Sequence, residues 1–192
     1  DPRLALVGFL NIVGGLGLVS FSWRVAMAAA PASLRPLAES APQGRMMSAG
    51  LLVLTMTVLL GAWIGASYSA VACPTVPLCD GGGSASVPGW AALNPLVKLS
   101  SAPMPGNAVA EMLHLLHRAL AFLAMMVLGA AAVSSMRYQA TRRAAHAVLL
   151  LLVVAIFLGI SAVLSGLNLW LVVAHGLVAA MLLAAVAALL RR

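Results

Sequence analysis

Apolar residues run through this chain in long unbroken stretches, not in alternation. Five of them, roughly residues 4–27, 46–71, 109–134, 146–166 and 169–190, are built of Leu, Ala, Val, Met and Gly with almost no charge. A bilayer core takes about 20 apolar residues per helix, so each stretch predicts one transmembrane helix. The period-two alternation of a membrane barrel is absent. Glycines scattered through the stretches suit helices packed through small residues. The predicted fold is all-α: a polytopic membrane protein in which a single transmembrane helix and connector (1–44) precede an antiparallel four-helix transmembrane bundle (45–192).

Composition agrees, with 63% hydrophobic residues, 8% charged residues and a mean hydropathy of +1.07. Such a chain belongs in a lipid bilayer. The formal charge of +7 does not form a stripe for nucleic acid. It sits in short connectors: Arg24, Arg35 and Arg45, then Arg137, Arg142 and Arg143, then Arg191 and Arg192. Positive connectors stay cytoplasmic, so the expected setting is a bacterial-type inner (plasma) membrane, with the C-terminus cytoplasmic. Connector 72–108 and the turn at Gly166–Asn168 then face outward. The same alternation places Asp1-Pro2-Arg3 outside without a signal sequence to carry it there. Upstream spans, or processing of the N-terminus, are therefore expected.

Connector 72–108 carries both cysteines, Cys73 and Cys79, in the string CPTVPLC. An oxidising outer compartment favours a disulfide between them, with free or metal-bound thiols as the alternative. Gly81, Gly82, Gly83 and Ser84 and the string VPGWAALNP that follows lack helical periodicity and predict an irregular lid. Trp63, Trp90 and Trp170 suit the membrane interface.

Histidine supplies the candidate chemistry. His117 lies about eight residues into the third span and His175 about six into the fifth, roughly 9–12 Å below the outer boundary at 1.5 Å per residue. One membrane histidine more often bonds a neighbouring helix. Two at matched depth point to axial ligation of a haem iron, here a b-type haem. Arg118 is equally deep and needs a haem propionate or a buried carbonyl as partner. His114, one turn outward, is a candidate propionate or cleft contact, an alternative ligand or a solvated interfacial residue. Glu111 lies a turn further out, and His146 reads as an interfacial residue without a catalytic role.

These residues resemble the heme A synthase family, whose members convert haem O to haem A for cytochrome oxidase. GAWIGASYSAVACPTVPLC resembles the family's first helix and cysteine loop, and LHLLHRALAFLA its next helix with a His-Arg pair. LGISAVLSGLNLWLVVAHGLVAAML resembles its third and fourth helices. The resemblance covers about residues 45–192 and implies a C-terminal, cofactor-binding half. Residues 4–27 then correspond to the last helix of an N-terminal half. It implies His117 and His175 as axial ligands of haem b, Cys73–Cys79 as a disulfide, and haem O as substrate, hydroxylated successively at its C8 methyl to a formyl group. No nucleotide or flavin fingerprint occurs, so electrons must come from an external donor.

Two positions differ from the family. The Glu that precedes the His-Arg pair by three residues in the substrate half is His114 here, and the helix at 4–27 has no His. They favour an alternative: a bis-histidine haem electron-transfer or accessory subunit of a larger respiratory or photosynthetic complex, without haem-modifying activity. Upstream halves, further copies of the chain and respiratory-complex subunits are the partners in view.

Overall fold

A computed structural model describes residues 2–29, 44–79 and 108–190. Five long helices account for nearly all of them: α1 (Pro2–Ala29), α2 (Gly44–Ala66), α3 (Ala108–Ser135), α4 (Gln139–Leu164) and α5 (Leu169–Leu189). Each is long and apolar enough to cross a membrane. At 1.5 Å per residue, helices of 21–28 residues are about 31–42 Å long, enough to span the hydrocarbon core. The described residues contain no strand. The chain is a multi-pass, all-α membrane protein.

Helices α2 to α5 form the bundle, each packed on its neighbours in the order α2, α3, α4, α5 and back to α2. Helices α3 and α5 therefore stand on opposite corners. The Leu128 side chain of α3 lies against Gly50 near the start of α2, while His117 meets Thr57 further along it. These pairings run in opposite senses, so α2 and α3 are antiparallel. Helix α1 lies outside, against α2 and α5. Phe9 stacks edge-on to Trp63 at 5.7 Å, and Ala66 approaches Gly8, so α1 is antiparallel to α2.

Packing differs between the two ends. The main core joins all four bundle helices through Met47, Leu54, Leu128, Val148, Leu182 and Val186 at the end where α2 and α4 begin. Arg45, Arg142 and Arg143 lie at this end, which we call the arginine end. Toward the other, disulfide end the core narrows to a cluster of Leu60, Ile64 and Leu113 between α2 and α3. Burial in α4 lapses between Leu152 and Ala162, and in α5 it begins only at Ala180. Over these stretches α4 and α5 contribute no buried residue to the core.

Element boundaries depart from the apolar stretches in two places. The second span ends at Ala66 instead of near residue 71, because Tyr68 turns left-handed (φ 56°) and Ser69–Ala72 continues as a 3₁₀ turn. The fourth begins at Gln139 instead of near residue 146. Its polar first turns, with Arg142, Arg143 and His146, are helical and exposed while Thr141 and Ala145 are buried. The α4–α5 turn lies where Gly166 and Asn168 predict it. Gly166 takes φ +69°, and the Asn168 side chain caps α5 by accepting from the Trp170 amide at 3.0 Å.

Candidate functional site

Helices α3 and α5 bring His117 and His175 together across the bundle, their ring centroids 6.5 Å apart and their planes crossed at 76°. Each ring is anchored to the helix preceding its own. Nδ1 of His117 lies 3.0 Å from the Thr57 carbonyl of α2, and Nδ1 of His175 lies 2.9 Å from the Ala155 carbonyl of α4. A carbonyl only accepts, so Nδ1 carries the proton and donates in both rings. In a neutral imidazole this leaves Nε2 as the lone-pair nitrogen, the tautomer that a metal takes up.

Both anchors sit beside a glycine. Gly61 follows Thr57 by one helical turn and faces the His117 ring, and Gly159 follows Ala155 likewise and faces the His175 ring. Sequence reading singled out neither. The signal it could have used is their placement, since each lies five residues before the end of the helix that precedes a His-bearing helix.

Arg118 does not project free into the lipid. Its guanidinium donates to the Pro77 carbonyl at 2.9 Å and to the Cys73 carbonyl at 3.2 Å. Of the two partners its position suggests, the structure supplies backbone carbonyls. Cys73 and Cys79 form a disulfide, and Cys73 is fully buried. The arginine that follows His117 therefore clamps the disulfide loop onto α3.

His114 is buried, with 6% exposure, which overturns its reading as a solvated interfacial residue. The 3₁₀ turn at Ser69–Ala72 folds over it, its ring meets the Ala70 backbone, and its Nδ1 has no partner among the described residues. Beside it the Ser67 and Ser69 hydroxyls pair at 2.7 Å, and Glu111 is buried on the same helix. His146 is exposed on α4, its Nδ1 donating to the Arg142 carbonyl at 2.7 Å, far in the chain from the paired imidazoles. Trp63 packs on α1 and Trp170 is exposed at the start of α5. Trp90, the glycines at 81–83, Ser84, Arg35, Arg191 and Arg192 lie outside the described residues.

Among the described residues no group of three or more His, Cys, Asp or Glu gathers as a self-contained metal centre. What the site offers is two facing, oriented imidazoles. The family described as COX15-CtaA, cytochrome oxidase assembly protein, matches residues 7–187. The chain belongs to this family. The match includes most of α1 as well as the four-helix bundle to within the last turn of α5, so it reaches further toward the N-terminus than the motifs alone. No curated protein matches the chain. Membership ties the protein to cytochrome oxidase assembly and agrees with the heme A synthase resemblance of its cysteine loop and histidine helices.

Proposed function

We propose that the chain holds a b-type haem between His117 and His175 and serves the oxidation of haem O to haem A during cytochrome oxidase assembly. The observation that carries this reading is the geometry of the imidazole pair. Two imidazoles bound through Nε2 to opposite faces of one iron, each ~2 Å from it, have ring centroids about 6 Å apart. The separation here is 6.5 Å, with both Nδ1 atoms already committed to carbonyls. A haem so held supplies one-electron transfer, tuned by its ligands and by burial. His117 and His175 orient and hold it. Arg118, by fixing the disulfide loop over α3, closes the disulfide end above His117.

The positive-inside rule supports an orientation with the arginine end cytoplasmic and the disulfide end outside, where a disulfide persists. The imidazole pair then lies in the outer half of a bacterial-type inner membrane. That depth suits a substrate such as haem O, whose isoprenoid tail partitions into lipid. The electron donor is external to the chain.

Expression in cells that make haem O, followed by extraction and chromatography of the pigments, tests the reading. Haem b in the purified protein, together with new hydroxylated haem or haem A in the cells, is the expected result. Haem b without any modified haem supports the second reading, a bis-histidine electron-transfer or accessory subunit. His114 favours that reading, because it occupies the position of the family's glutamate. Protein without haem b contradicts both.

A further inference from the structure

Glycine is, after proline, the residue least suited to a helix interior. Two of the helical glycines here nevertheless sit against the paired imidazoles. A β-carbon at Gly61 would lie 2.9 Å from Cε1 and 3.4 Å from Nδ1 of His117. One at Gly159 would lie 3.2 Å from Cε1 and 3.4 Å from Nδ1 of His175. By contrast, β-carbons at Gly129 of α3 and Gly176 of α5 would meet nothing within 4 Å. Among the described helical glycines the other comparably close approach is at Gly50, where the neighbour is the apolar Leu128 side chain of the core; only at Gly61 and Gly159 is it an imidazole.

The two sites share one construction. In an α-helix the carbonyl of residue i accepts from the amide of residue i+4. Thr57 and Gly61 stand in this relation, as do Ala155 and Gly159, and each of those two carbonyls also receives the imidazole Nδ1–H. A side chain at the glycine would crowd the ring where it lies against that helix, on its Cε1 and Nδ1 side. With only hydrogen there, the imidazole can lie against the backbone and use the carbonyl's second lone pair.

We propose that Gly61 and Gly159 are paired positioning residues: each admits one imidazole to a helix backbone carbonyl, and together they set the tautomer, spacing and crossing angle of His117 and His175. The inference rests on the haem reading above for its consequence, but the positioning itself is a property of the protein alone. It also ranks the two sites. A contact of 2.9 Å leaves no room, so with Ala at 61 the His117 ring must shift from its place against the carbonyl or the two helices must move apart. A contact of 3.2 Å asks the His175 ring to yield by a few tenths of an ångström.

The test compares wild type, Gly61→Ala, Gly159→Ala and Gly129→Ala in the full chain. Haem titration with optical and electron paramagnetic resonance spectra is one readout. ¹⁵N NMR of histidine-labelled, haem-free protein is the other. Loss of an orienting partner of a metal-bound histidine lowers metal affinity by about 10–100-fold. Gly61→Ala is expected in that range. Gly159→Ala should lose less than about tenfold while shifting the low-spin g values, and Gly129→Ala should match wild type. In the haem-free protein, the Nδ1-protonated signal of His117 should be lost in Gly61→Ala alone.

Wild-type g values, affinity and nitrogen shifts in a folded Gly61→Ala would overturn the proposal. Should Gly61→Ala fail to fold, Gly159→Ala decides: shifted g values support the proposal and unchanged ones refute it. Wild type without low-spin haem contradicts the proposed function, and the nitrogen shifts then decide the positioning role by themselves.

Discussion

At the scale of single residues, the functional reading turns on polar groups that lipid would otherwise exclude. His117, His175 and Arg118 are conspicuous in the sequence because each stands in an apolar span, where a polar side chain needs a partner. Their partners are not legible there, since Thr57, Ala155, Cys73 and Pro77 all contribute backbone carbonyls, which every residue type has. Gly61 and Gly159 are likewise lost among the 17 glycines of the chain. The burial of His114 could not be read either, because it depends on Ser69–Ala72 folding back as a 3₁₀ turn instead of extending α2. Arg118 carries a clear consequence. Replacing it with Gln weakens two charge-assisted hydrogen bonds to the loop, a loss on the order of 1–3 kcal/mol. Thermal unfolding in detergent should show a lower midpoint for Arg118→Gln, and the Cys73–Cys79 disulfide should be reduced faster in the folded protein. An unchanged rate of reduction would show that Arg118 does not restrain the loop.

At the scale of elements, apolar stretches located all five helices, because a spanning helix must satisfy its backbone internally and clothe itself in hydrocarbon. Their ends were less legible. The start of α4 is hidden by Arg142, Arg143 and His146, whose polar side chains face outward while Thr141 and Ala145 pack inward. The α4–α5 turn was legible because Gly166 and Asn168 carry turn and cap chemistry of their own. Removing the Asn168 cap by substitution with Ala should cost about 0.5–2 kcal/mol, visible as a lower unfolding midpoint. Leu128 makes a different prediction. It is fully buried at the arginine end, where the four helices share one core. Leu128→Ala should destabilise the bundle by about 2–5 kcal/mol through the cavity it leaves. The haem spectrum should stay as in wild type, since the imidazole pair is held by different contacts. A changed spectrum would mean that the two ends of the bundle are not separable.

At the scale of the whole molecule, a core shared by four helices fills one end, while the stretches of α4 and α5 at the level of the imidazoles bury no residue. The disulfide end carries the imidazoles, and the clamped disulfide loop packs on α3 there, an arrangement suited to a flat ligand held between α3 and α5. The proposed orientation has its own check: after reduction, a membrane-impermeant maleimide should label the partly exposed Cys79 from outside the cell membrane, and labelling only from the cytoplasmic side would reverse it. The central claim is that His117 and His175 ligate one haem, and the most direct measurement is the ferric electron paramagnetic resonance spectrum of the haem-loaded protein. Imidazole planes crossed at 76° and pinned at both Nδ1 atoms predict a highly anisotropic low-spin signal, of the kind given by near-perpendicular axial ligands. That signal should vanish in His117→Ala and in His175→Ala. A low-spin signal that persists in both variants, or a wild-type spectrum that is high-spin only, would contradict the account.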